Sequence, residues 1–231
     1  MEDEPHGSIC CDIMAWCKVV AGLTTDQRAK LASTKVGKAM LQMPPHKPSE
    51  LLIKYLLEAY DPTSSRFIIK PRVGEITCRN VDVECLLGLE NSGTLSAADI
   101  LKEEGEECID EIPERFLSNT GNLVMEDLVK QIKQFPKADQ DFMRRIMLVL
   151  IGYVLAPRST KTVYKPYYSL VESMYKIDKI NWNQFTLSYL MEQLNKLKFG
   201  KEVRKWPTGN LSILEVRVFF IVLLCTFNPL C

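Results

Sequence analysis

The amino-acid sequence predicts a mainly α-helical protein, a single compact helical domain with one small β-hairpin near residues 66–77. Apolar residues recur every three or four positions through most of the 231 residues, as they do along the buried face of an α-helix. Prolines end or separate several of these periodic segments. The hydrophobic fraction of 46% and the charged fraction of 25% are those of a chain with a real core, which excludes disorder for most of its length.

The chain is predicted to have three parts. Residues 1–11 are expected to be a frayed tail, residues 12–215 to form the helical domain, and residues 216–231 to be an atypical apolar tail. The acidic residues cluster near the middle of the domain, where positions 82–127 hold thirteen acidic and two basic residues. Their densest stretch predicts a solvated acidic loop at about residues 99–114, which separates two halves of the fold.

In the N-terminal part, residues 13–20 are apolar enough for a short helix, and Thr24 is placed to cap a second one. Residues 44–48 hold three prolines and interrupt the helical pattern. The next helix ends before Pro62, because the residue that precedes a proline avoids the helical region. Its predicted buried stripe consists of Leu51, Leu52, Tyr55, Leu56 and Ala59.

The β-hairpin is predicted from two short strand-like runs, residues 66–70 and 75–77, on either side of a Pro-Arg-Val-Gly connection. A helix follows directly. Asn80 is predicted to cap its start, and Gly88 is predicted to close its end.

The pattern of apolar residues in the second half of the chain predicts a series of long helices. Residues 123–135 carry a loose apolar stripe, and residues 139–155 are apolar almost all round, which predicts a central buried helix. That helix is too short and too charged to cross a membrane, which takes about 20 apolar residues. A further helix is predicted within residues 163–180, and Asn181 is predicted to cap a helix through Leu197 that buries Trp182 against residues 142–153.

The cysteines do not indicate a disulfide framework or a zinc site. The eight cysteines have no CxxC spacing, and the acidic N-terminus lacks the features of a secretory signal. They are interpreted as reduced thiols of a nuclear or cytosolic protein that is not secreted. A zinc site would have to use Cys10, Cys11, Cys17 and His6, and adjacent cysteines do not easily occupy two vertices of one tetrahedron.

No catalytic residue, metal or cofactor is predicted. The sequence lacks both glycine-rich phosphate-binding motifs, and the acidic stretch lacks the alternating ligands of a calcium loop. His46 and His6 are the two histidines, so a Cys–His dyad that uses His46 stays open as a minor alternative. No glycine- or serine-rich phosphate cup is visible for pyridoxal phosphate.

A basic stretch with interleaved aromatic residues is the one candidate binding site. Ten basic and four acidic residues between positions 158 and 205 give this region a net charge of +6. Three interpretations stay open, namely the solvated end of a helix, a nuclear-import patch, and a surface that binds nucleic acid. The candidate residues are Lys196, Lys198, Lys201, Arg204 and Lys205.

The apolar tail reads Val-Arg-Val-Phe-Phe-Ile-Val-Leu-Leu-Cys-Thr-Phe-Asn-Pro-Leu-Cys. Its uncharged run is about half the length that a membrane span needs, so no membrane span is predicted. Residues 216–231 are expected to be translated intron or to mark a mis-set gene boundary. Such a segment would still lie as a helix in an apolar groove of the domain, because its side chains avoid water.

Five short segments resemble, in order, the plant mobile domain, which is also called the aminotransferase-like plant mobile domain. They are Leu57-Glu58-Ala59-Tyr60-Asp61-Pro62, the hairpin end Glu75-Ile76, Asp82 to Leu89, Leu150 to Pro157, and Ile180 to Phe185. The closest likeness is to the variants found in transposable-element-related grass proteins, where the domain often precedes a SUMO-protease-like cysteine peptidase domain. The sequence departs from that pattern at Arg79-Asn80, where a Ser/Thr-Pro start is usual, and after Glu215.

The resemblance implies a mainly helical domain of transposon origin, with a nuclear role in gene or transposon silencing in some host-adopted members. It implies no established catalytic residue. The leading hypothesis is therefore a non-enzymatic, transposon-derived module that binds a protein or nucleic acid in the nucleus, or otherwise in the cytoplasm. The alternative is an enzyme, or a fragment of one, of the pyridoxal-phosphate or cysteine-peptidase-associated type.

Overall fold

The chain folds into a mostly helical structure, as the periodicity predicts. The computed structural model describes residues 9–69, 74–200 and 206–227, with the side chains of the last range described up to Phe219. Its α-helices are α1 (Ile13–Ala21), α2 (Thr25–Ala32), α3 (Lys35–Met40), α4 (Glu50–Ala59), α5 (Asn80–Leu87), α6 (Ala97–Glu103), α7 (Met125–Gln134), α8 (Gln140–Leu150), α9 (Tyr168–Val171), α10 (Met174–Lys179), α11 (Trp182–Lys198) and α12 (Ser212–Phe227).

The predicted hairpin is confirmed and belongs to a three-stranded antiparallel sheet. Its strands lie in the order β1 (Tyr60–Asp61), β2 (Arg66–Ile69) and β3 (Gly74–Ile76). Phe67 in the middle strand lies opposite both Tyr60 and Ile76, so the buried residues of the sheet share one face. The hairpin connection, residues 70–73, lies outside the described residues.

A second sheet joins the two halves of the sequence. Its strands, β4 (Leu123–Val124) and β5 (Thr162–Val163), are antiparallel, and Leu123 pairs with Val163. The predicted helix at residues 123–135 therefore begins two residues later than expected, at Met125.

The core is built around α8, which is buried on most sides as its sequence predicts. Asp139 caps its start, where a side-chain oxygen accepts a hydrogen bond from the N–H of Phe142 at 2.9 Å. Every residue from Ile146 to Leu150 is fully buried. The helix contacts α2, α7 and α9, so the two halves of the sequence share one core.

A π-helical segment, Ile151–Leu155, continues α8. The N–H of Ala156 donates to the carbonyl of Ile151 at 2.8 Å, which is the wider turn of a π-helix. Gly152 lies here against Met125, and a Cβ atom at this position would stand 2.3 Å from the Met125 sulfur. Glycine thus allows the start of α7 to approach the π-helical segment closely.

Helix α11 begins as predicted, because the Asn181 side chain accepts a hydrogen bond from the N–H of Gln184 at 3.0 Å. Trp182 is 5% exposed, which confirms that it is a core residue. Its ring packs edge-on against Phe185, and its indole N–H donates to the carbonyl of Ile177 at 2.9 Å. The helix contacts α5, α6 and the π-helical segment.

The prediction of a solvated acidic loop at residues 99–114 is wrong. Helix α6 occupies its first part, and short 3-10 turns follow at Glu107–Ile109 and Glu114–Phe116. Cys108, Ile112 and Phe116 are buried among the acidic residues and hold the segment on the core. These apolar residues are widely spaced among many acidic residues, so the sequence pattern does not indicate that the segment packs on the core.

Two further predictions are wrong in detail. The helix predicted after Pro166 is instead a 3-10 turn and the short helices α9 and α10, because the Ser173 side chain caps the start of α10 and begins a new helix. Helix α4 buries Ile53, Leu56 and Leu57, and it leaves Leu51 81% exposed. The predicted and the observed buried faces of α4 both have apolar residues at helical spacing, so the periodicity does not indicate which face is buried.

The two ends of the domain are packed more tightly than the sequence predicts. Residues 1–8 of the predicted frayed tail lie outside the described residues, but Ile9 packs against the core and Cys11 is buried. The N–H of Asp12 donates to the carbonyl of Tyr153 at 3.0 Å and anchors this segment.

At the other end, α12 runs from Ser212 across the expected boundary at Glu215 and packs on α4 and α5. A mis-set gene boundary after Glu215 stays a prediction. None of the helices in the described part of the chain is long and apolar enough to cross a membrane.

Candidate nucleic-acid interface

Only part of the predicted basic patch lies within the residues that the structure describes. Lys196 and Lys198 lie in the last turn of α11, where cations interact favourably with the negative end of the helix dipole. Lys201, Arg204 and Lys205 lie outside the described residues.

Lys196 borders a cavity of about 390 Å³ that the sequence does not reveal. Helix α11 forms one side of the cavity, and residues 158–160 with the 3-10 turn Lys165–Tyr167 form the other. We call this cavity the tyrosine cleft, defined by Arg158, Tyr164, Tyr167, Tyr189, Lys196 and Thr208. Its volume lies in the range of about 300–1,000 Å³ that is typical of ligand pockets.

The loop that carries Arg158 is fixed at both ends. It begins where the π-helical segment stops, and the carbonyl of Pro157 accepts a hydrogen bond from the N–H of Gly209 at 3.1 Å. It ends at Lys161, which has a left-handed φ of 52° before the chain enters β5. A non-glycine residue in that region is strained, and such strain is concentrated at functional sites.

Aromatic rings line the tyrosine cleft from rim to floor. Tyr164 is 42% exposed at the rim, and its ring meets that of Tyr167 edge-on at 5.3 Å between centroids. Tyr167 is buried and packs edge-on against Phe185 at 5.4 Å, which connects the cleft to the core. The guanidinium carbon of Arg158 lies 5.3 Å from the centroid of the Tyr164 ring, within the range of a cation–π interaction.

A chain of polar side chains lies deeper in the tyrosine cleft. The hydroxyl groups of Tyr189 and Thr208 are 3.2 Å apart, and Thr208 donates to the side-chain oxygen of Gln193 at 2.9 Å. Thr208 itself is buried. Burial raises the pKa of Tyr189 and of Tyr167, so both phenols stay neutral hydrogen-bonding groups at pH 7.

The charged residues of the tyrosine cleft leave a positive balance. Lys196 pairs with Glu192, and the distance from its ammonium nitrogen to the carboxylate oxygen is 2.6 Å. Arg158 adds a second cation, which makes the lining positive by one charge. The cleft thus combines a cation, an exposed ring and buried hydroxyl groups. These are the elements that bind a phosphate, stack on a base and hydrogen-bond its edge.

The histidine considered for a Cys–His dyad is engaged elsewhere. The Nε2 atom of His46 lies 2.7 Å from a carboxylate oxygen of Glu215, whose other oxygen accepts the N–H of Ser49. Cys85 lines the same apolar groove as His46, but no hydrogen bond joins these two described side chains. Among the buried cysteines, desolvation raises the pKa of Cys78 to about 12 and that of Cys108 to about 11, so these two thiols stay protonated and unreactive.

One group of side chains in the described residues has the spacing of metal ligands, but the ammonium group of a lysine lies beside its carboxylates. The ligand atoms of Glu104, Cys108 and Glu172 lie within 4.8 Å of one another. The ammonium group of Lys176 pairs with both carboxylates, and its distance to Glu172 is 2.8 Å. The cluster is therefore an ion-pair network that ties α6 to α9 and α10. His6 of the rejected zinc set lies outside the described residues.

The fold and the tyrosine cleft define a mainly helical protein with a small, positively charged cavity that aromatic rings line. The chain belongs to the family described as Domain of unknown function (DUF8566), whose model matches residues 9–215. No curated protein and no solved structure matches the chain.

The charge pattern of the sequence indicates Lys196 but does not indicate the other residues of the tyrosine cleft. Arg158, Tyr189 and Thr208 are far apart in the sequence and meet only in the fold. A local signal exists in Tyr164-Lys165-Pro166-Tyr167-Tyr168, where three tyrosines and a lysine closely follow the central helix. Clustered tyrosines beside lysine are typical of surfaces that stack on bases.

Proposed function

We propose that this protein is a non-enzymatic, transposon-derived module that acts in the nucleus by binding nucleic acid through the tyrosine cleft. The observation that carries the proposal is the position of Arg158, which lies over the exposed ring of Tyr164 at the mouth of a cavity that Lys196 also borders. A cation beside an accessible aromatic face supports the binding of a phosphate and its attached base.

Two lysines lie near the rim residue of the tyrosine cleft in the sequence. Lys161 precedes Tyr164 by three residues, and Lys165 follows it directly. Lys161 pairs with Glu126 at 3.7 Å, and both side chains are exposed, so this ion pair is weak and gives way easily to a phosphate. The lining of the cavity is thus positive by one charge in a protein of neutral total charge.

The transposon origin and the nuclear location rest on the resemblance of the sequence to the plant mobile domain. Nuclear action in gene or transposon silencing places such a module beside DNA and RNA. Binding through one small cleft with few cations predicts modest affinity, because the phosphate contacts of a protein supply most of its sequence-independent affinity.

The test is an anisotropy titration of the full chain with labelled DNA and RNA oligonucleotides at several salt concentrations. We expect binding that weakens linearly as the logarithm of the salt concentration rises. The double variant Arg158→Gln/Lys196→Gln removes two cations of the tyrosine cleft. We expect it to weaken binding and to reduce the slope of the salt dependence by about 1.4, the value for two lost contacts to single strands.

The matched control is Lys18→Gln/Lys54→Gln, which makes the same change of charge at exposed lysines of α1 and α4. This control is expected to bind like the parent chain. Failure of the parent chain to bind any of the oligonucleotides at low salt would contradict the proposal. An equal loss in the two double variants would assign the binding to net charge and not to the tyrosine cleft.

A further inference from the structure

The tyrosine cleft places its polar recognition groups below its rim. Thr208 is 2% exposed and Tyr167 is 5% exposed, whereas Tyr164 at the rim is 42% exposed. The hydroxyl groups of Tyr189 and Thr208 and the amide of Gln193 lie in this lower part. A ligand reaches these groups only if it enters the cavity, since a flat surface laid across the rim meets the exposed lining residues, among them Tyr164, Glu192 and Lys196.

Double-stranded and single-stranded nucleic acids differ in the chemical groups that they can insert into a cavity. In a duplex the bases are stacked, and the outer surface offers phosphates, sugars and groove edges. An unpaired base is a flat aromatic group that leaves the stack at low cost, stacks on tyrosine and presents its pairing edge to hydroxyl and amide groups. The cavity of about 390 Å³ is large enough for one such group.

We infer that the tyrosine cleft takes an unpaired nucleobase, so that the protein binds single-stranded nucleic acid in preference to duplex. The inference rests on the proposed function and specifies its ligand. The base enters between Tyr164 and α11, its edge meets the Tyr189–Thr208–Gln193 chain, and its phosphates lie toward Arg158 and Lys196. Tyr164 provides stacking area at the rim, and the buried Tyr167 ring fixes the position of Tyr164.

The geometry also predicts which part of Tyr164 matters. Its hydroxyl group has no described hydrogen bond, whereas its ring contacts both Tyr167 and Arg158. Loss of the ring should therefore weaken binding. A stacking contact contributes about 1–3 kcal/mol per base, so Tyr164→Ala is expected to weaken single-strand binding by about 5- to 150-fold.

The experiment compares three probes on the full chain. They are a thymidine oligonucleotide of about 12 residues, an abasic strand of the same length, and a duplex of the same length. We expect the thymidine strand to bind at least about tenfold more tightly than the abasic strand and the duplex. Tyr175→Ala, the matched control, removes an exposed tyrosine of α10 outside the cleft and should have no effect.

The outcomes separate this inference from the proposed function. Equal affinity for the duplex, or for the abasic strand, would overturn the inference and leave nucleic-acid binding in place. An unchanged affinity of Tyr164→Ala for the thymidine strand would also overturn it. Failure of all three probes to bind would overturn the inference and the proposed function together.

Discussion

Replacing Asp141 with asparagine is expected to lower the free energy of unfolding by about 3–5 kcal/mol, a large part of the roughly 5–15 kcal/mol that stabilises a domain. Three arginines converge on this one carboxylate near the start of α8. Arg115 donates to it from Nε at 2.8 Å, Arg144 from Nη1 at 3.2 Å, and Arg145 lies at 3.5 Å. Asparagine keeps the size of the side chain and removes the charge, so three cations are left together.

Arg145 makes the substitution costly. Its side chain is 6% exposed, and it lies 4.7 Å from the centroid of the Phe116 ring. Its buried Nε has no hydrogen-bond partner in the described structure. With Asp141 gone, the weaker interaction with Asp139 offsets less of the loss of hydration of this guanidinium. For a chain of this length the expected fall in Tm is roughly 6–20 °C, which differential scanning calorimetry measures.

The pH dependence of this effect has a definite sign. Burial acts to raise the pKa of Asp141, but the hydrogen bonds and charge of Arg115, with Arg145 and Arg144, outweigh it and hold the pKa below its usual range. The stabilisation is therefore complete above the unfolded-state pKa of about 3.9 and is lost as the pH falls through the lower folded-state value. The stability difference between the parent chain and Asp141→Asn should be constant near neutrality and should shrink in acid.

The control for Asp141→Asn is Glu126→Gln, which neutralises an exposed carboxylate that pairs with Lys161. That change is expected to cost less than about 1 kcal/mol, because exposed ion pairs contribute little. A Tm for Asp141→Asn within about 2 °C of the control would show that the three arginines do not depend on this carboxylate.

The second large effect is expected from Arg217→Met, with a loss of about 3 kcal/mol in the free energy of unfolding. Arg217 lies on α12, within the segment that the sequence identifies as atypical, and its Nη1 atom is 3.6 Å from a carboxylate oxygen of Asp82 on α5. The Asp82 side chain is 0% exposed. Its other oxygen accepts the N–H of Arg79 at 2.7 Å. Two charges balance the carboxylate, that of Arg217 and, more weakly, that of Arg79.

Burial raises the pKa of Asp82, although the Arg79 N–H and the charge of Arg217 act against the shift. A carboxyl group with a raised pKa opposes folding in its charged form and stops doing so as the pH falls through the folded-state value. Removal of Arg217 raises that pKa further. Arg217→Met should therefore recover stability as the pH is lowered from neutrality toward the unfolded-state pKa of about 3.9, in the opposite direction to Asp141.

Two variants accompany this test by denaturant unfolding. Asp82→Asn/Arg217→Met removes both charges and should recover most of the lost stability, because no buried charge is left without a partner. Arg66→Met breaks the exposed pair with Glu75 on the hairpin and should cost less than about 1 kcal/mol. If Arg217→Met proved no more costly than Arg66→Met, α12 would not be held on α5 by this ion pair.

The sequence predicts those parts of the fold that depend on local chemistry. Thr24 and Asn181 each cap the helix that follows them, as predicted. The predicted cap at Asn80 is wrong, because Asn80 is the first residue of α5 and Arg79 holds the cap position. The burial of α8 follows from residues that are apolar almost all round. The sequence does not predict those parts of the fold that depend on tertiary packing. In the acidic segment, Phe116 and its neighbours are buried and hold the chain on the core. In α4, two faces of the helix carry apolar residues, and packing determines which face is buried.

The tyrosine cleft is predictable only in part for the same reason. Lys196 belongs to a charge cluster that is visible in the sequence, but the cavity beside it requires the loop after Pro157, the turn Lys165–Tyr167 and Thr208 to meet α11. The π-helical segment that leads from α8 into this loop has no signal in the pattern of apolar residues. Tertiary contacts thus create the cleft from residues that are unremarkable in the sequence.

Photo-cross-linking is the measurement that tests the central claim most directly. A single-stranded oligonucleotide that carries a photoreactive pyrimidine is bound to the full chain and irradiated, and the modified peptides are identified by mass spectrometry. The account predicts adducts on Tyr164 or Tyr189, the accessible and half-buried tyrosines of the cleft. Adducts confined to other exposed aromatic residues, such as Tyr175, Phe199 and Tyr55, with none in the tyrosine cleft, would contradict it.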